Sequence, residues 1–259
     1  MTAPVTRDQL MAVVEGSPKA VGAHDRSTWV ALFAGDGQIN DPVGSRPHNG
    51  TSAIESFYDT FIAPNTITFY VERDIVSGQT VWRDLSLATE MSTGVVLNVP
   101  MHLRYDVVGE PGELRIGSLY AHWELATMLR QLAAAGFDGL KAGAKLTPQL
   151  LSNQGIGGAL GFSRGILGVG AKGKQAATRF LDAAAVGRTP PIPVELPAGT
   201  HLSPADVNDL LTGMTRSKVL AAGRTVTVSV VVCGEPGIAL FGFEPKGHRI
   251  NRVQFFTES

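Results

Sequence analysis

The sequence predicts an α+β protein in which amino-terminal helices wrap a curved, cone-shaped antiparallel sheet, followed by a second, smaller α+β unit. Three observations carry this. Apolar residues in 7–35 recur at helical spacing, with Leu10, Val13 and Val14, then Val21, then Trp29, Leu32 and Phe33. Four period-two segments follow, Ile67 to Ile75, Thr80 to Met91, Val95 to Val107 and Leu114 to Glu124, parted by glycine-containing turns. A shorter helix-then-strand pattern returns after Thr189. These place units at residues 1–125 and 188–259, with a Gly- and Ala-rich connector at 126–187.

Within the first unit, Ser17 followed by Pro18 has the form of an N-cap with proline at the first helical position, which predicts a kink or restart there. Gln38 to Asp41 reads as a short strand that Pro42 ends, because proline brings no N–H to a ladder. Thr51 is expected to cap a helix carrying Ile54, Phe57, Tyr58 and Phe61. The connector holds Arg130, Lys141, Lys145, Arg164, Lys172, Lys174 and Arg179 against Asp138 and Asp182. It reads as a pair of closely packed connector helices, and the same composition suits a basic, weakly amphipathic element making weak contact with an anionic membrane surface.

In the second unit VELPAG leads to a capped helix, SPADVNDLL, and to strands in Lys218 to Val232, Ile238 to Glu244 and Arg249 to Thr257. RINRVQFFTE at Arg249 echoes RIGSLYAHWE at Arg115, and VELPAG echoes INDPVG, as in a degenerate repeat. Under that echo Leu196 stands where Asp41 stands. Alternatively, these strands extend the first sheet.

Composition removes several classes of function. The net charge of −1 over 259 residues, with no arginine-rich or aromatic-interleaved stretch, argues against nucleic acid as partner. No apolar run is long enough to span a bilayer, and the amino terminus resembles neither a secretory signal nor a transit peptide, so a cytoplasmic protein is expected. Cys233, in the run TVTVSVVVCG, is expected as a buried thiol. The six histidines make no metal-ligand spacing, and neither a GxSxG elbow nor a Walker loop occurs, so neither a metal nor a cofactor is expected.

The segment ALFAGDGQINDPVGSRPHNGTSAIESFY, Ala31 to Tyr58, resembles bacterial ketosteroid isomerase, within the SnoaL-like and nuclear-transport-factor-2-like group of cone folds. ALFA, the acid of DPVGS, Pro47, Gly50-Thr51, Ala53-Ile54 and Phe57-Tyr58 carry the likeness, which weakens along the strands and ends near Trp123. The resemblance implies a pocket for a steroid or similarly flat, apolar carbonyl compound, a homodimer paired through the open sheet face, and Asp41 as the base that moves a proton between two carbons. Without it, Asp41 is an ordinary turn-forming Asp-Pro residue. The resemblance also implies two oxyanion donors, but Ser17 stands at the place of the helix-borne tyrosine and Met101 at that of the strand-borne acid.

Tyr58 is then the candidate donor, and Trp123, Met101, Phe57 and Phe33 are candidate substrate-binding residues, although Trp29, Phe33, Phe57 and Phe61 also have the spacing of helix core. His102 should point to the opposite sheet face, exposed or interfacial. The alternatives to an isomerase are a non-catalytic carrier of hydrophobic ligands and a polyketide cyclase or dehydratase on the same cone.

Overall fold

A computed structural model describes residues 4–137, 139, 141 and 168–258. Helices α1 (Arg7–Gly22) and α2 (Arg26–Ala31) lead into β1 (Phe33–Asn40), the short β2 (His48–Asn49) and α3 (Thr51–Phe57), which ends in a π-helical turn at Tyr58–Ile62. Strands β3 (Asn65–Ser77), β4 (Thr80–Met91), β5 (Val96–Val108) and β6 (Arg115–His122) complete the first unit. Its sheet runs β2-β1-β6-β5-β4-β3. The pairs from β3 to β6 are antiparallel as expected, whereas β1 pairs with β6 in parallel, so the sheet is mixed.

Local chemistry explains most of these boundaries. Thr6 caps α1 through a capping box with Gln9. Contrary to the expected restart, α1 runs straight through Pro18. The buried stripe Leu10, Val14, Ser17, Ala20 and Val21 continues across the proline, and burying it outweighs the roughly 3 kcal/mol that an interior proline costs. Ser17 therefore caps nothing. Strand β1 begins at Phe33, five residues earlier than expected, because its first part pairs with Ile116 of β6. Gly50, not Thr51, is the N-cap of α3, with no side-chain cap bond.

Helix α4 (Leu125–Ala134) follows the first sheet, and residues 138, 140 and 142–167, which make up much of the connector in which membrane contact was expected, lie outside the described residues. The second unit comprises α5 (Gly170–Ala184), β7 (Val194–Leu196), β8 (Thr200–Leu202), α6 (Pro204–Leu211), β9 (Thr215–Ala222), β10 (Thr225–Val232), β11 (Glu235–Phe243) and β12 (Ile250–Thr257). Lys218 to Val232 is thus two strands joined by a tight turn at Gly223, whose φ is +52°. Cys233 is exposed rather than buried: with Gly234 it forms the two-residue turn between β10 and β11, at a φ of +52°.

The second sheet runs β8-β7-β12-β11-β10-β9, the order of the first sheet repeated, with β7 and β12 also parallel. In the first parallel pair Asn40 meets Tyr120, and in the second Glu195 meets Gln254, so Asp41 and Leu196 each stand one residue beyond an equivalent bridge. The second unit packs on the outer face of the first sheet. Ile75 and Trp82 meet Ile238 and Phe256, and Arg104 lies over the rings of Trp82, Tyr120 and Phe256. His102 is fully buried in that interface, between Thr227 and Ser229, as alternation along β5 required. The inner face of the first sheet, under α1 and α3, is left to enclose a cavity. Among the described residues, no helix is long and apolar enough to cross a membrane.

Candidate functional site

The site begins with the turn after β1. Asn40 holds it from within: its side chain donates to the Ser45 carbonyl at 3.0 Å and accepts from the Gly44 N–H at 3.4 Å. Val43 N–H adds a bond to the Ala121 carbonyl of β6 at 2.9 Å. Asp41 is thereby fixed at the mouth of the strand with its carboxyl facing the interior. Trp123, just past β6, donates its indole N–H to Asp41 Oδ1 at 2.6 Å, a short hydrogen bond to the carboxylate. Burial pushes the Asp41 carboxyl up to about 6, and the Trp123 bond offsets part of that rise.

Asp41 opens onto a cavity of about 160 Å³ in the cone. That is room for on the order of ten water-sized spheres, or about 300 Å³ of liquid, the lower end of what drug-sized ligands occupy. Its wall is mainly apolar. Met101, Leu103 and Tyr105 reach it from alternate positions of β5, Phe57 and Phe61 from the helical side, and Met128 and Leu132 from α4. Helix α4 is held over this end of the cone by Gln131, whose amide accepts from Asn98 N–H at 2.9 Å and donates to Asn98 C=O at 2.7 Å.

The cavity brings together Asp41, Trp123, Met101 and Phe57 of the expected set, and Ser17 as well. It does not bring in Tyr58 or Phe33. Tyr58 is buried against Trp29, with ring centroids 5.5 Å apart, and among the described residues its hydroxyl has no hydrogen-bond partner. Burial and the nearby Asp25 and Asp59 raise its pKa. Phe33 likewise packs on Trp29, at 4.9 Å. Both belong to the layer behind the cavity: Phe33 opens β1, Tyr58 begins the π-helical turn, and both rings pack on Trp29 of α2.

Sequence reasoning missed Tyr105, Asn40 and α4. For Tyr105 the signal was present: it lies four residues after Met101 on one strand, so a period of two puts both on the same face. Asn40 carries no signal beyond preceding Asp-Pro. The residues of α4 fall outside the resembling segment. Among the described residues, no three His, Cys, Asp or Glu side chains gather as a metal-ligand set.

A mixed, curved sheet rolled around a pocket with helices over its open side defines the class. Residues 10–111 match the family model of the nuclear transport factor 2 (NTF2) domain, and the first unit has the NTF2-like cone fold. Among solved structures, the chain is similar to the Δ5-3-ketosteroid isomerase from Mycobacterium sp., at 29% identity over 46% of this chain and 96% of that one, with a TM-score of 0.43. It is similar to a Mycobacterium tuberculosis protein in complex with estradiol-17β-hemisuccinate, at 29% identity over 46% and 96%, with a TM-score of 0.42. A computationally designed 17-OHP binder matches at 26% identity over 46% and 95%, with a TM-score of 0.42.

Proposed function

We propose that the first unit binds a flat, apolar carbonyl compound, of which a steroid is the type, and that Asp41 transfers a proton within it. The observation that carries this reading is a single carboxyl facing a largely apolar cavity, bonded to an indole N–H and with its pKa near 6. A base of that strength is mostly ionised at neutral pH, yet basic enough to accept a proton from carbon next to a carbonyl. In the step proposed, that carbon gives its proton to Asp41, the electron pair moves toward the carbonyl oxygen to form an enolate, and Asp41 returns the proton to the γ carbon. No oxidant or water is consumed.

The test is incubation with a β,γ-unsaturated 3-ketosteroid, following formation of the conjugated enone, with Asp41→Asn as control. Wild-type turnover that the substitution abolishes is the expected result. No turnover, or turnover indifferent to the substitution, refutes Asp41 as the base.

A carrier reading has its own support, since Ser17 and Met101 occupy the places where the resemblance calls for oxyanion donors. Saturable steroid binding without turnover would select it. A cyclase or dehydratase acting through the same acid would turn over a polyketide-like substrate and not the ketosteroid.

A further inference from the structure

An enolate that forms in an apolar cavity needs a hydrogen-bond donor at its oxygen, and neither Met101 nor Tyr58 supplies one. Three hydroxyl-bearing residues line the cavity, Ser17, Thr89 and Tyr105, and of these Tyr105 lies near enough to Asp41 to feel its charge. Trp29, from α2, donates its indole N–H to Ser17 Oγ at 3.1 Å. Ser17 and Tyr105 face the same cavity, and Ser17 is near enough to the phenol to hold its pKa down, as a neighbouring O–H able to donate to it does. Trp29 fills an acceptor site of Ser17 and leaves the serine O–H free to turn toward Tyr105, and a phenol oxygen that accepts it keeps its own O–H for the cavity.

We propose that Tyr105 is the donor to the carbonyl oxygen of the bound ketone, oriented by Ser17, which Trp29 fixes in turn. This rests on the proton-transfer reading of Asp41. The direction of the relay follows from what each group can do. Indole donates only, so it sets Ser17 as acceptor on that side, and a serine O–H directed at the phenol oxygen strengthens the phenol as a donor, since successive hydrogen bonds polarise one another.

Burial drives the Tyr105 pKa up to about 12, with Arg83 and Ser17 acting against that rise and the charge of Asp41 adding to it. The phenol therefore keeps its proton throughout the range in which Asp41 is ionised, so an acid and a base coexist in one cavity. The chain thus places its donor four residues farther along β5 than Met101 and uses the helix position for a serine that steers it. A phenylalanine at 105 would fill the same volume. The hydroxyl is what the packing does not explain, because it carries a polar group into a mainly apolar wall.

The test compares wild type, Tyr105→Phe, Ser17→Ala and Asp41→Asn in steady-state isomerisation of the β,γ-unsaturated 3-ketosteroid, and records the carbonyl stretching frequency of the bound conjugated 3-ketosteroid product. Tyr105→Phe should lower kcat by on the order of a hundredfold with little change in KM, as removal of one oxyanion donor does. It should also return the carbonyl stretch toward its value in apolar solvent. Ser17→Ala should give an intermediate loss and an intermediate stretch, which a merely structural serine would not.

Tyr105→Phe with kcat within twofold of wild type, while Asp41→Asn is inactive, overturns the donor and leaves the base standing. If wild type binds the ketone but does not turn it over, the base reading fails, and an unshifted stretch on Tyr105→Phe still refutes the donor while a shifted one upholds it. Absence of saturable ketone binding by wild type overturns both. Circular dichroism and thermal unfolding of each variant confirm that the fold is retained.

Discussion

At the scale of the residue, the site is one carboxyl whose surroundings oppose its charge. The folded pKa of Asp41, about 6, lies above its ordinary value of 3.8, so the folded state favours the protonated form. The sign follows. Stability due to this group is greatest below the ordinary value and is lost as pH rises toward 6, while catalysis by the carboxylate appears over the same window. Under the proposed function, kcat/KM should therefore rise with pH through about 6 and then level off, which a pH profile from 4 to 8 checks. Trp123→Phe removes the bond that favours the carboxylate and should move that rise to higher pH. Asp41→Asn should be inactive but more stable at pH 7, by up to roughly 3 kcal/mol in denaturant unfolding, since each pKa unit is worth about 1.4 kcal/mol. Asp41 was legible because its turn has a recognisable form. Tyr105 was overlooked because attention went to the positions where the resembling family keeps its donors, although strand alternation already placed it inside.

At the scale of the element, α4 closes what the sheet leaves open. Met128 and Leu132 cover the cavity and Gln131 pins the helix to Asn98 through both amide atoms. Gln131→Ala should cost on the order of 1 kcal/mol of stability for the lost pair of exposed hydrogen bonds, and should speed ligand release several-fold in stopped-flow displacement. Strands were the most legible elements, because β3, β4 and β5 each run for at least twelve residues and alternation between buried and more exposed positions marks much of β5. Helix ends were less so. Pro18 reads as a boundary by its own chemistry, and only the tertiary stripe on either side of it explains why α1 continues. The paired placement of β1 beside β6 is a long-range contact that no local pattern encodes.

At the scale of the molecule, two sheets of the same strand order meet face to face across a partly charged interface. Asp84 is almost wholly buried there. Burial works against its charge, but bonds from His102, Lys218 and Ser229 outweigh that and hold its pKa well below the ordinary value. Lys218 reaches Asp84 at 2.5 Å and Glu72 at 2.7 Å, while burial keeps the His102 pKa low and the ring neutral. Lys218→Met should cost about 3–5 kcal/mol in chemical denaturation, because it leaves Asp84 buried without its cation.

The signs for acid agree. A depressed histidine loses its contribution as pH falls below about 6.5, and a depressed aspartate as pH falls below about 4, so in Asp41→Asn, which lacks the opposing titration of Asp41, unfolding temperatures should fall in two steps on acidification. The expectation of a dimer through the outer sheet face rested on that face being open, and here the second unit covers it. A monomer in sedimentation equilibrium at micromolar concentration is the expected outcome. The repeated strand order was visible in the sequence as an echo of two short motifs, but their facing arrangement was not, since it depends on polar pairs such as His102 with Thr227 that lie 125 residues apart.

The contact between Gly44 and Gly223 ties these scales together. A Cβ on either residue would run into the backbone of the other, so the turn that carries Asp41 rests directly on the β9–β10 turn of the second unit. The unit that has a leucine where the first has its acid is thus the anvil on which the acid is set. A chain cut after α4 would keep every residue of the cavity wall and lose the surface that fixes its proton-bearing corner.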